Sequence, residues 1–309
     1  QRAATVACGI AAAPVVANAQ AAVTKADWRE TYAYTQGMQA FVFGFPWSFL
    51  PELRWKWVTQ DPHSPFVPYA PLNQFYNSRQ LTTAEYRDGG SPNNDTLYLF
   101  AVCDLRNGPL VLHVPDTHDR YYVLQFVDAW TNNFAYIGRR ATGTTAGDYL
   151  IVPPGFLGDA PDTMQVVHAP SDICVIVGRI AVNGADDLPA VHALQDQFTV
   201  TPLSVALGST APSQPGGVPK PDPRVPDSLK WWEQFRVALA AFPPPAADAP
   251  FLAMCGTLGV TVAESPYVSA DPQLAQVLVA AEQAAHEKIE ELMKQFSRTP
   301  RSKSTRLNA

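Results

Sequence analysis

The spacing of apolar positions changes twice along the chain. Over residues 26–43 it is helical, with Tyr34, Met38, Phe41, Val42 and Phe45 on one face. Asp27 can cap the start, and Gly44 and Pro46 predict the end. The following FPWSFLPELRWKW is densely aromatic. It reads as core, because aromatic side chains dominate buried area; a ligand-stacking or membrane-surface face is the alternative. From residue 71 to about 198 the texture becomes that of strands. LYLFAVCDL, PLVLHVP, YYVLQFVDAW, DYLIVPP, TMQVVHAP and CVIVGRIAV predict six of them. Turn signals lie between, at Asn107-Gly108-Pro109, Asp116 to Asp119, Gly147-Asp148, Pro153-Pro154-Gly155 and Asn183-Gly184. No helix-length pattern separates them, which argues against βαβ crossovers and for antiparallel pairing. Helical texture returns near Ala190. SLKWWEQFRVALAAF carries an apolar stripe, broken by Pro243-Pro244-Pro245. Asp271-Pro272 opens a last helix with the stripe Leu274, Val277, Leu278, Ala281, Ala285, Ile289, Leu292 and Phe296.

The expected class is therefore α+β: an antiparallel β-sandwich or jelly-roll core with an N-terminal helix and a C-terminal helical region. The expected segments are a signal-peptide fragment over 1–22, helix plus sandwich over 23–200, a Pro/Gly-rich linker over 201–226, a helical region over 227–297, and a non-native or disordered tail over 298–309. The leader reading rests on Arg2, the small and apolar run after it, and the cleavage-like Ala17-Asn18-Ala19 and Ala19-Gln20-Ala21. It predicts an exported protein, periplasmic or secreted, with no transmembrane segment in the mature chain. The run at 301–308 resembles translated adapter sequence of the kind met in metagenomic assemblies; a basic solvated tail is the alternative.

Composition narrows the function classes. Charged residues are 16% of 309 and prolines number 29, which favours loops and strands over a helical bundle. A net charge of −6 argues against nucleic acid as a partner. Cys8, Cys103, Cys174 and Cys255 form no C-x-x-C motif. Buried free thiols are expected, and one disulfide among Cys103, Cys174 and Cys255 is the alternative. Nothing in the sequence bears on oligomeric state.

Over residues 91–156 the chain reads SPNNDTLYLFAVCDL and then GPLVLHVPDTHDRYYVLQFVDAWTNNFAYIGRRATGTTAGDYLIVPPGF. These motifs, in this order, resemble the signature of the family "domain of unknown function 1254". The resemblance extends upstream through PLNQFYNSRQL and the helix at 28–47. It implies a helical segment leading into a jelly-roll type of sandwich, many exported bacterial members, and no known reaction, so no catalytic residue carries over. In that family a second domain, "domain of unknown function 1214", often follows. No run here resembles its sheet, and truncation after the last helix is expected.

Candidate chemistry gathers at strand ends. Asn93, Asn94 and Asp95 precede LYLFAV; they suit an Asx-type turn, or a polar rim for a ligand. Asp116, Asp119 and Arg120 sit in one hairpin and suit a surface ion pair, or an Arg-paired carboxylate that orients a substrate. Gln125, Asp128, Trp130, Thr131 and Asn132 close YYVLQFVDAWTNN. Alternation puts Asp128 on the apolar face with Tyr122, Leu124 and Phe126, where an acid is costly unless paired or at a rim. Asp128 is thus the leading candidate for a tuned carboxylate, with Arg139 or Arg140 as partner. An ion pair that merely locks the strand end explains it equally well. Convergence of Asp95 with Asp128 would make an acid pair of the kind glycoside hydrolysis uses.

His113 and His118, with Asp116 between, lack a third ligand at diagnostic spacing, so no metal is expected. His286-Glu287 misses H-E-x-x-H, because position 290 is Glu290. G-x-S-x-G is absent, and TGTTAG lacks the lysine of a phosphate loop, so no cofactor is expected. Two function classes remain. One is a binding or structural module whose cleft, lined by Asn93, Asn94, Gln125, Trp130 and Asn132, takes a small molecule or glycan. The other is a hydrolase-type enzyme using Asp128 with Asp95 and Arg139 or Arg140.

Overall fold

The computed structural model describes residues 28–62, 67–83, 92–213 and 220–298, without the side chains of 296–298. The expected leader and nearly all of the expected tail lie outside these residues, as do Asp27 and His63. The chain forms two compact units, one of residues 1–41 with 269–309 and one of residues 42–268.

The described part of the first unit pairs the start of helix α1 (Trp28–Arg54) with helix α6 (Pro272–Arg298). Asp271 caps α6 as its sequence predicts: Oδ1 accepts the backbone N–H groups of Gln273 (3.0 Å) and Leu274 (3.1 Å). Leu278, Ala281 and Ala285 are fully buried, whereas Leu292 is exposed, so the apolar stripe thins toward the C-terminus. Phe41 and His286 meet with ring centroids 6.3 Å apart.

In the second unit α1 continues through Gly44, Pro46 and Pro51 to Arg54, followed by a π-helical turn, Trp55–Thr59. The expected end at Gly44 and Pro46 is therefore corrected. Each internal proline removes one backbone hydrogen bond, at about 3 kcal/mol or more. Aromatic burial offsets that loss. The Phe43 ring lies 4.8 Å from Phe251 and 6.4 Å from both Trp130 and Phe235, and Trp47 lies 4.4 Å from Trp130. Trp47 and Leu50 are buried, while Phe49 and Trp55 stay exposed, so the aromatic run is only partly core. Gly44 faces the Phe235 ring so closely that a Cβ there would sit 2.6 Å from Cε2. It is a packing glycine inside the helix, not a stop signal.

Two sheets follow. The first is antiparallel, in the order β1 (Tyr76–Asn77), β2 (Thr96–Asp104), β8 (Ile173–Ala181), β4 (Tyr122–Val127), β5 (Asn133–Gly138). The second runs β7 (Met164–His168), β6 (Gly147–Val152), β3 (Leu110–Val114), β9 (Thr199–Pro202). Within it β6 and β7 pair in parallel, so this sheet is mixed. The loop over 153–163 carries the chain back to the starting edge. All six predicted strands are present. Alternate residues of both sheets, such as Leu97, Leu99, Leu124, Phe126, Leu112 and Ile151, enter one buried cluster. A one-residue slip would turn such a row outward, so this burial fixes the register.

Helices α2 (Leu188–Gln195), α3 (Leu203–Ala206), α4 (Lys230–Ala241) and α5 (Ala249–Cys255) belong to the same unit as the sheets. Trp232, Phe235 and Phe242 are fully buried there. On α4, Glu233 and Arg236 form a buried bidentate pair (2.7 and 2.9 Å), and Arg236 also donates to the Ala263 carbonyl (2.8 Å). No helix among the described residues is long and apolar enough to cross a membrane.

Gly44→Ala tests the packing role. Alanine gains about 1 kcal/mol of helix propensity, but displacing the Phe235 ring costs about 1–3 kcal/mol. The expected outcome is a lower denaturation midpoint at unchanged slope; a midpoint raised by the substitution would rule the contact out.

Candidate functional site

The strand register decides where the predicted residues lie. At one end of the five-stranded sheet Thr96 pairs with Ala181 and Tyr122 with Ile180. At the other, Cys103 pairs with Cys174 and Val127 with Val175. Asp95, just before Thr96, and Asp128, just after Val127, therefore occupy opposite ends. Their separation is on the order of 25 Å at about 3.3 Å per residue, against roughly 5–10 Å in a glycosidase acid pair. The acid pair does not form.

Asp128 is 3% exposed and is used locally. Its Oδ1 accepts the backbone N–H groups of Trp130 (2.9 Å) and Asn132 (2.8 Å), and Asn132 Nδ2 donates to Oδ2 (3.4 Å). The Asp128 N–H donates to the Asn132 carbonyl, and Thr131 adopts φ 64° between them. The carboxylate thus closes the β4–β5 turn from inside. Neither arginine meets it. Arg139 makes a bidentate surface pair with Asp119 (2.9 and 3.0 Å), and the Arg140 guanidinium lies 5.5 Å from the Tyr121 ring.

The predicted amide cleft is also dispersed. Asn93, Asn94 and Asp95 are exposed at the Thr96 end, where the Asn93 N–H donates to the Tyr98 hydroxyl (2.8 Å). Gln125 donates to Asn133 on the sheet surface (2.7 Å). Trp130 packs on Trp47, and exposed Asn132 lies in the turn at the far end. His113 faces Asp148 across β3 and β6 (2.7 Å), while His118 faces Asp116 (3.4 Å), so the two histidines contact different acids.

Arg120 is committed as well. It binds Asp187 bidentately (2.5 and 2.7 Å) and donates to the Ala181 carbonyl (2.9 Å). The Arg120 hydrogen bonds hold the Asp187 carboxyl below its ordinary value of 3.8, with the Asn183 N–H helping.

What the structure does assemble lies at the Asp128 end. Asp104, the last residue of β2, has a fully buried side chain. Arg54 Nη2 from the end of α1 approaches Oδ2 at 3.3 Å. Arg106 is bidentate on the same carboxylate (2.6 and 2.9 Å) and rests 4.5 Å from the Phe242 ring. Asn73 Oδ1 accepts the Asp104 N–H (2.9 Å) from a left-handed backbone, φ 60°. Burial pulls the Arg54 guanidinium below its usual value; Asp104 opposes that shift and Arg106 adds to it. The nearby Asp172 carboxyl is raised by burial and by Asp104. One buried carboxylate thus answers two guanidinium groups, and Arg54 Nε has no acceptor among the described residues.

Two cavities touch this network. The smaller, about 240 Å³, includes Asn73, Asp104 and Asn107 in its wall. The larger, about 550 Å³, is walled by Ser48, Pro51, Glu52, Arg54, Trp55, Thr59, Lys220, Pro221, Gln234, Val237 and Ala238. Only the larger falls in the range of roughly 300–1,000 Å³ usual for ligand pockets. Among the described residues its wall carries two cations, the half-exposed Trp55 and one acid, Glu52, which is paired with Lys56 (2.7 Å). Sequence reasoning missed Arg54 and Asp104. The argument applied to Asp128, an acid ending an apolar strand, applies equally to Asp104 in LYLFAVCDL.

Residues 72–202 match the family model "Protein of unknown function (DUF1254)", which shows the resemblance read in the sequence for that segment. Among solved structures the chain is similar to the VPA0106 protein of Vibrio parahaemolyticus, with TM-score 0.68 and 22% identity over 85% of this chain and 60% of that one. That likeness shows a shared fold, and this chain spans 60% of that protein. A putative uncharacterized protein from Burkholderia cenocepacia matches at TM-score 0.31 and 11% identity, over 69% of this chain and 56% of that one. No curated protein matches the chain.

Two outcomes are expected. Asp128→Ala should lower stability by about 1–3 kcal/mol, the usual cost of orphaned buried donors, measured by urea denaturation; an unchanged midpoint would show that the carboxylate does not hold the turn. A depressed carboxylate stabilises above its unfolded-state pKa and loses that contribution as pH falls through the folded value. Asp187→Asn should therefore be less stable than the parent at pH 7, by about 1 kcal/mol. The gap should close as pH falls below about 4. A gap independent of pH would exclude the Arg120 pair as its cause.

Proposed function

We propose that this chain, whose residues 72–202 carry the matched family domain, is a binding module for a small organic anion with an apolar or aromatic body, seated in the 550 Å³ cavity beside Arg54. The single observation that carries this reading is Arg54. It is 3% exposed, lines the cavity, and keeps Nε without an acceptor among the described residues. A buried donor left unpaired costs about 1–3 kcal/mol, more if charged. A bound carboxylate supplies the missing acceptor as a charge-assisted hydrogen bond. Lys220 adds a second positive charge, Trp55 offers a ring for stacking, and Val237 with Ala238 lines an apolar wall.

A neutral glycan could use Trp55 but would bring no anionic acceptor to the Arg54 Nε–H, which has none among the described residues. The hydrolase reading loses its support, because Asp95 and Asp128 stand at opposite ends of the sheet and neither faces Arg139 or Arg140. The leader-like residues 1–22 support export, so we place the binding step in the periplasm or outside the cell. Sequencing the N-terminus of the protein recovered from the periplasmic fraction tests that placement. A chain found only in the cytoplasm with its leader intact would overturn it.

Thermal shift and calorimetry against benzoate, phenylacetate, citrate and the neutral sugars glucose and cellobiose test the ligand class. An aromatic carboxylate is expected to raise Tm saturably. At one hundred times its Kd a ligand stabilises the folded state by about 2.7 kcal/mol. Gln234→Trp, which places bulk at an exposed position of the cavity wall, should abolish the shift, and Lys220→Ala should weaken it about tenfold. Asp128→Ala should retain it. Stabilisation by sugars alone, or binding untouched by Gln234→Trp, would overturn the proposal.

A further inference from the structure

We propose that Cys103 and Cys174 are a redox pair that closes into a cross-strand disulfide joining β2 to β8 inside the core. The two residues are direct register partners in the antiparallel ladder. Both are fully buried and both belong to the buried cluster that residues of the two sheets share. Both are free thiols in this structure. Directly opposed residues of antiparallel strands have Cα atoms about 4.5–5.5 Å apart. Disulfides span about 4.4–6.8 Å between Cα atoms, so the bond needs no shift of register. Cys255 stands apart on α5, where burial alone pushes its thiol up to about 11.

The oxidant is a disulfide, either that of a thiol–disulfide oxidoreductase or glutathione disulfide. One protein thiolate attacks it, giving a mixed disulfide and freeing one thiol of the oxidant, which stays on the oxidoreductase or leaves as glutathione. The second protein thiol displaces the other sulfur of the oxidant as a thiol and forms the Cys103–Cys174 bond. Two protein thiols are oxidised and one disulfide is reduced to two thiols, so atoms and electrons balance. Since only the thiolate attacks and both sulfurs are out of water, exchange proceeds while the sheet is assembling and is slow once it has closed. The bond then holds the strand ends that carry Asp104 and Asp172.

Refolding the full chain in glutathione redox buffer, with a parallel sample in dithiothreitol, tests the pair. The oxidised product should carry two fewer titratable thiols. Its peptide map should contain a Cys103–Cys174 cross-link, and its Tm should exceed that of the reduced sample by roughly 5–10 °C, since the bond closes a long loop. The Tm difference between buffers should persist in Cys255→Ala and vanish in Cys103→Ala/Cys174→Ala. A comparison within each variant keeps the test valid where alanine lowers stability itself. A full set of free thiols after oxidative refolding, a cross-link through Cys255, or an oxidised chain that fails to fold would each overturn the proposal.

Discussion

The charge on Asp104 is the constraint around which the second unit is arranged. A carboxylate with no solvent contact must be answered, because burying an unpaired charge costs several kcal/mol. Arg54 and Arg106 answer it, and Asn73 holds the adjoining backbone N–H. This ties the end of α1 to the end of β2. Removing one partner of such a pair typically costs about 3–5 kcal/mol, while replacing the whole pair with apolar residues is often neutral. The pair is therefore a stronger statement about position than about stability: it fixes where Arg54 stands beside the cavity.

Aromatic packing makes that position possible. The rings of Phe43, Trp47, Trp130, Phe235 and Phe251 hold α1 helical across two prolines. Had the helix ended where Gly44 and Pro46 suggest, Arg54 would follow an unconstrained loop. The residues that look like a stop signal are accommodated because large buried surfaces outweigh two missing backbone bonds. Arg106 joins the same logic from another direction, with its guanidinium over the Phe242 ring and its charge on Asp104.

Asp104 and Asp128 show how a sound local argument reaches an incomplete answer. Both acids end an apolar strand, and both are buried. Asp128 Oδ1 is satisfied by backbone N–H groups within four residues, so the carboxylate closes a turn. Asp104 is satisfied largely by arginines, one of them fifty positions away, and so ties a helix end to the sheet. The strand pattern flags both; it does not say whether the partner is the neighbouring backbone or a distant helix.

The sequence by itself determined the α+β class, the six main strands, the capped last helix and the family segment, because each depends on periodicity or on capping and turn chemistry within a few residues. It left β1, β5 and β9 unseen: β1 and β9 are short, and β5 at the sheet edge lacks a two-residue period. Only the tertiary structure decided that α1 runs on to Arg54, that β6 and β7 pair in parallel, that Asp95 and Asp128 lie apart, and that Cys103 faces Cys174. These depend on register and on packing between segments distant in sequence, where the energy of a contact is set by partners that no local pattern specifies.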